Sequence, residues 1–169
     1  MYIELANKIS EIDGHLYVVG GAVRDLFLYN KPIKKNSNID IEILGVSPLQ
    51  LEKILDSLGS WKLVGSLYKV YLIENLEITL PRDKKGFNPT LDIKSSILNR
   101  DLTINSLYYD PLTDKTIDLY NGRVDLKDKI LKYIDYKTFL DDPLRLFRTI
   151  ELAGRLDFKL SQNLKNLII

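Results

Sequence analysis

The 169-residue sequence has no cysteine and a single histidine, His15. Disulfides, thiolate nucleophiles, zinc–thiolate sites and histidine clusters are thereby excluded, so any metal site has to be built from carboxylates. An excess of one charge is missing too: 24 Lys and Arg against 23 Asp and Glu leave +1, and no global positive field points to nucleic acid. No apolar run approaches the length of about 18 residues that a membrane span needs, and the amino-terminal MYIELANKISEID mixes acids with its apolar residues. Neither a signal peptide nor a membrane span is expected, and the default compartment is cytoplasmic. Hydrophobic side chains make up 45% of the residues, enough for one domain with a real core, or one domain and a fragment of another.

Periodicity orders the chain. Ile3, Ala6, Ile9 and Ile12 mark a short amphipathic helix, and the apolar run Leu16 to Val19 reads as a strand that ends at Gly20-Gly21 and leads into a helix, AVRDLFLYN. In SPLQLEKILDSLG, Ser47 caps a helix, Pro48 suits its first position, Gln50 closes a capping box and Gly59 ends it. WKLVGS, KVYLI and LEITL are short strands in a row, RDKKGFNPT is a polar loop, NRDLTINSLYYD runs from helix to strand, and DPLTDKTIDLY is a hairpin. From Asp141 the pattern turns helical, with Leu144, Phe147, Ile150 or Leu152, and Ala153 at helical spacing, then a last helix in SQNLKNLII. The expected class is α+β with a mixed, largely local sheet.

The stretch SNIDIEIL alternates so that Asn38, Asp40 and Glu42 share one face of a strand. In an arbitrary protein this is the wet face of an edge strand. Here the neighbourhood changes the reading. A glycine pair between strand and helix lets backbone N–H groups approach an anion, with Arg24 one turn on, although a glycine pair alone is more often just a tight turn. LEITL puts Glu77 on a second strand, where it can face Asp40. Carboxylates from neighbouring strands beside a phosphate turn suit Mg²⁺ bridging to a triphosphate.

Taken in order, GGAVRD, NIDIEI, LEITLPRD, NRDLTINSLYYDPLTDKTIDLYNGRVDLKDKIL and DDPLRLFRTIELAGRLDF resemble the class II CCA-adding tRNA nucleotidyltransferases, a family shared with bacterial poly(A) polymerases. The resemblance covers Leu16 to Phe158. It implies a polymerase-β-like nucleotidyltransferase head with a five-stranded mixed sheet over residues 1–140, and the first helices of an all-helical neck over 141–169. It also implies transfer of CMP and AMP from CTP and ATP to a tRNA 3′ end with Mg²⁺. By the same resemblance Gly20, Gly21 and Arg24 contact the triphosphate, Arg100 faces the incoming nucleotide with Asp101 and Asn105 in its motif, and Asp40, Asn38 and Glu77 form the catalytic, metal-holding set. Asp142 and Arg145 read the base and Arg148 supports the nucleotide. An Asp acceptor beside an Arg donor suits cytosine and adenine, which pair an amino group with an unprotonated ring nitrogen, and rejects uracil and guanine. The plain alternative for Asp142 and Arg145 is an ion pair on a solvated helix, worth a few tenths of a kcal/mol.

Two departures from the family pattern stand out. Asn38 replaces the first Asp of an Asp-x-Asp pair, and the preceding KPIKKNS is longer than usual. Glu42 lies about 13 Å along the strand from Asn38, a poor substitute unless it pairs with Asp40 in a shifted site. The family's further neck, body and tail helices are not in this sequence. Leu164, Leu167, Ile168 and Ile169 of the last helix are therefore expected to be exposed, and a homodimer or a separate partner to cover them. Against the transferase stand a poly(A) polymerase of the same family and a nucleotide-binding module with little catalysis.

Overall fold

A computed structural model describes residues 1–30, 32–33, 38–66, 68–83 and 86–168, the side chain of Ile168 excepted. Most of the KPIKKNS loop therefore lies outside the described residues. The elements are α1 (Tyr2–Ser10), β1 (His15–Val19), α2 (Gly21–Tyr29), β2 (Ile39–Leu44), α3 (Pro48–Leu58), β3 (Trp61–Val64), β4 (Val70–Ile73), β5 (Leu76–Thr79), β6 (Arg82–Asp83) and β7 (Gly86–Phe87). They continue with α4 (Ile93–Leu98), β8 (Tyr108–Asp110), β9 (Lys115–Ile117), α5 (Gly122–Asp128), β10 (Ile130–Leu131), α6 (Tyr136–Leu140), α7 (Leu144–Leu156), β11 (Lys159–Leu160) and α8 (Gln162–Ile168).

The main sheet has seven strands in the order β3-β4-β5-β2-β1-β8-β9, not the five expected. Helix α3 and the local strands β3 to β5 bring β5 back parallel to β2, while every other pairing in this sheet is antiparallel. The hairpin β8–β9 extends the sheet beyond β1. Strand β2 is thus the middle strand, and the edge-strand reading of SNIDIEIL fails. Ile39, Ile41 and Ile43 point to one face, into a core shared with Leu5, Ala6 and Ile9 of α1 and Leu51 and Leu55 of α3. Burial of each such side chain contributes about 1.5–3 kcal/mol. Val19, Ile97 and Tyr108 form a smaller cluster of their own.

Local chemistry explains the starts of several helices. Ser47 and Gln50 form the expected capping box on α3, and Asp92 and Asp135 cap α4 and α6. In α1 the buried stripe is Leu5, Ala6 and Ile9, while Ile3 is exposed. RDKKGFNPT carries the two-residue ladder β6–β7.

The carboxy-terminal part is not all helix. Strand β11 pairs in parallel with β10, so this segment is hydrogen-bonded back to residues before 140. Leu164, expected to be exposed, is fully buried, and Leu167 packs against the core. The exposed apolar side chains are instead Leu140, Leu144, Phe147 and Ile150, because α7 buries Thr149 and Leu152. Among the described residues no helix is long and apolar enough to cross a membrane.

Candidate active site

The turn after β1 sets the site. Gly20 has φ +69°, a left-handed backbone, and a Cβ placed there would stand 2.8 Å from Asp40 Oδ2. Only glycine meets both conditions. Gly20→Ala should therefore lower stability by about 1–3 kcal/mol, checked by thermal melting.

Asp40 faces that turn from β2, and the parallel register places it directly opposite Glu77 on β5. Burial of the Asp40 carboxyl in the cleft and then the Glu77 carboxylate beside it raise its pKa, outweighing Arg100 and Arg148, although the residue as a whole stays open to solvent. Asn38 Nδ2 donates to Glu77 Oε1 at 3.0 Å, so the amide occupies one oxygen of the second acid. Two like-charged carboxylates held in register, with an amide alongside, fit an oxygen-seeking divalent cation. Among the described residues no cluster of three or more His, Cys, Asp or Glu offers an alternative.

Glu42 does not join them. It is buried, and its carboxylate accepts from Arg100 Nη2 at 2.5 Å, from the Tyr108 hydroxyl at 2.7 Å and from the Ser96 hydroxyl. Burial alone would raise its pKa, but the Arg100 guanidinium and then the hydrogen bonds from Ser96 and Tyr108 outweigh burial and lower it. The shifted Asp40–Glu42 site is thereby ruled out, since both Glu42 oxygens are committed. Arg100 in turn donates Nε–H to the Tyr108 hydroxyl at 3.2 Å, and its guanidinium carbon lies 5.4 Å from that ring's centre.

A second polar chain joins the Gly20-Gly21 turn to the NRDLTIN motif. Arg24 is buried, donates to Asp25 Oδ1 at 2.8 Å from Nε, and reaches Asn105 Oδ1 at 3.1 Å from Nη1. Asn105 Nδ2 then donates to Asp101 Oδ1 at 3.2 Å. Asp101 Oδ2 is buried without a hydrogen-bond partner, with Arg148 Nε 3.9 Å away. Gly122 lets α5 close on this motif, since a Cβ there would stand 2.3 Å from the Thr103 carbonyl oxygen.

Asp142, Arg145 and Arg148 arrive from α7 and the turn before it. Arg145 Nη1 donates to the Thr138 carbonyl and Nη2 to the Asn99 carbonyl, both at 2.7 Å, so its guanidinium pins α7 to the loop after α4. Asp142 Oδ1 accepts from Leu144 N–H at 2.9 Å. A cleft of about 280 Å³ brings together Asp40, Glu77, Arg100, Asp142, Arg145 and Arg148. Gly20 stands against Asp40, Gly21 against the Arg24 guanidinium, and Asn38 beside Glu77. The sequence reading missed Ser96 and Tyr108 as partners of Glu42, and Arg82, which also lines the cleft. Arg82 sits inside the quoted LEITLPRD and was within reach; the contacts of Ser96 and Tyr108 are far apart in sequence.

A mixed sheet, a glycine turn and paired carboxylates over one cleft define an α+β head. The chain belongs to the Poly A polymerase head domain family, whose model matches residues 16–132. Similar curated proteins include the multifunctional CCA protein of Xylella fastidiosa (strain 9a5c), 35% identical over 153 residues, covering 83% of this chain and 34% of the relative. That of Mannheimia succiniciproducens is 35% identical over 161 residues, covering 86% of this chain and 36% of the relative. The chain thus spans about a third of the length of the curated relatives it matches. Among solved structures, the Bacillus stearothermophilus CCA-adding enzyme in complex with CTP superposes at TM-score 0.83 with 24% identity, over 98% of this chain and 41% of that one, a likeness of fold. A tRNA nucleotidyltransferase complexed with a primer tRNA and an incoming ATP analog gives 0.76 at 28% identity, over 99% and 48%.

Proposed function

We propose that the chain is a template-independent nucleotidyltransferase head that adds CMP and AMP from CTP and ATP to tRNA 3′ ends. The observation that carries this reading is the register pair Asp40–Glu77 at the mouth of a cleft that also holds Arg100, Asp142, Arg145 and Arg148. The similar solved structures hold CTP, an ATP analog and a primer tRNA, and the cleft of this chain supplies groups of the right chemistry. Mg²⁺ would be held by Asp40 and Glu77 with the Asn38 amide, and when bound it supplies neutralising charge and acidifies the attacking hydroxyl. The chain's own residues do the rest. The Gly20-Gly21 turn receives phosphate with the buried Arg24, bonded to Asp25 and Asn105, supplying positive charge behind it, Arg100 is held rigid by Glu42 to face the nucleotide, and Asp101 Oδ2 is an acceptor awaiting a donor. Asp142 offers an acceptor to the base amino group, and Arg145, its position set by the carbonyls of residues 99 and 138, offers its remaining N–H groups.

In this reading residues 1–140 are the head and 141–169 begin the neck. A second copy or a separate partner covers Leu144, Phe147 and Ile150. One observation favours a weaker catalyst that still binds nucleotide: Asn38 stands where a charged ligand would offset the cation.

The test is a calorimetric titration of CTP, ATP, UTP and GTP with Mg²⁺, beside transfer to tRNA transcripts lacking A, CA or CCA. CTP and ATP should bind more tightly than UTP and GTP, Arg145→Ala should relax that preference, and Arg24→Ala should weaken all four. Equal affinity for all four removes the base-reading role.

A further inference from the structure

Beside the cleft lies a shelf that the nucleotide reading leaves unused. Tyr68 and Phe87 are large aromatics at 50% and 43% exposure. Arg82 joins them: it is the cross-strand partner of Phe87 in the β6–β7 hairpin, and its guanidinium carbon lies 4.5 Å from the Tyr68 ring centre. Phe87, Lys69 and Arg82 line a pocket of about 290 Å³, and Leu80 and Arg82 are common to this pocket and the cleft. Arg82 Nη1 is buried with no hydrogen-bond partner, a donor in need of an acceptor. Glu52 is the acid lining the pocket among the described residues, and it already accepts the Tyr71 hydroxyl at 3.1 Å.

We propose that this shelf binds the unpaired 3′ end of a single-stranded RNA, with bases stacked on Tyr68 and Phe87 and a backbone phosphate on Arg82 and Lys69. Every base has a π-face and every linkage a phosphate, so alternating aromatic and cationic groups grip a single strand without reading its sequence. Continuity with the cleft through Arg82 gives such a strand a path to Asp40 and Glu77. The incoming nucleotide has its own base partners in Asp142 and Arg145, so the aromatic platform serves the acceptor. The inference rests on the acceptor chemistry proposed above and names how this chain holds that acceptor.

The experiment measures a fluorescently labelled single-stranded RNA oligonucleotide ending in CC by anisotropy against the full chain at low salt, with CTP and Mg²⁺ titrated in parallel. Tyr68→Ala and Phe87→Ala should each weaken the oligonucleotide about tenfold, Tyr68→Phe and Phe87→Tyr should retain it, and CTP affinity should change far less. Arg82→Gln should flatten the salt dependence of oligonucleotide binding. No oligonucleotide binding by the unaltered chain, or binding indifferent to both alanine variants, overturns the shelf. So does an equal loss of CTP affinity, which would make it a nucleotide site. Transfer to tRNA with an unchanged acceptor KM in the alanine variants sinks the shelf and leaves the proposed function standing. Oligonucleotide binding lost on substitution, in a chain that transfers nothing even as Asn38→Asp, supports the shelf and sinks the function.

Discussion

Asn38→Asp should raise nucleotide transfer by at least about 100-fold while leaving CTP affinity within a few-fold. Asn38 carries no charge: its Nδ2 donates to Glu77 Oε1, and one of the two carboxylates paired across β2 and β5 is engaged by an amide. An aspartate there removes the donor, frees that Glu77 oxygen and adds a negative charge where cationic charge must be balanced in the transition state. Each 1.4 kcal/mol gained at the transition state is about tenfold in rate, so 100-fold asks for about 3 kcal/mol, within the range of one well-placed charge. The same change should lower melting temperature in a chelator and restore it with Mg²⁺, because three acids crowd one another until a cation arrives. Brisk transfer by the unaltered chain would show that Asp40 and Glu77 suffice. No gain on substitution, with CTP binding intact, would move the limitation to acceptor binding.

The second large effect belongs to Glu42. Glu42→Ala should cost about 3 kcal/mol, the low end for breaking a buried ion pair because the Arg100 side chain is 25% exposed, and should lower the melting temperature by roughly 6–12 °C. It removes the acceptor common to Arg100, Ser96 and Tyr108, so nucleotide affinity should fall with stability. The pH dependence has a definite sign. A lowered folded pKa means that Glu42 contributes its full stability above the ordinary value of 4.5 and loses it as pH falls toward the folded value. Asp40 works the other way: its raised pKa makes the folded state hold a proton more tightly, so its protonation stabilises as pH falls through the window above 3.8. Glu42→Gln should therefore flatten the acid limb of the stability curve, and Asp40→Asn should steepen it. An unchanged acid limb in Glu42→Gln would sink the assignment of Glu42 as the hub.

What could be read in the sequence was what depends on near neighbours. The capping box of α3 is chemistry between residues three apart, and the strand–glycine–helix turn at Gly20 follows from local backbone preference. The Asp40–Glu77 pairing was anticipated because both strands were visible and few registers keep their isoleucines buried. Long-range partners were not visible. Glu42 alternates like a solvated residue, yet Ser96, Arg100 and Tyr108, more than 50 residues on, bury and satisfy it. In α7 the period announced a helix, but the phase of its burial is set by Arg145 bonding to the carbonyls of residues 99 and 138, which turns Thr149 and Leu152 inward and leaves Phe147 outside. Two-residue ladders such as β10–β11 carry no pattern of their own and form only once their surroundings bring them together.

The parallel pairing of β2 with β5 acts as a ruler and as a checkpoint. Asp40 and Glu77 come from segments separated in the chain by α3 and two further strands, so their encounter closes a loop whose entropy cost must be met before the pair forms. A slip of one residue would set Leu76 or Ile78 against Asp40 and drive Glu77 into the apolar layer. Misregistered chains therefore cannot assemble the acidic pair at all. Cation-dependent protection of these two strands during refolding, followed by pulsed hydrogen exchange, would time the pairing of the strands and the birth of the site as a single event.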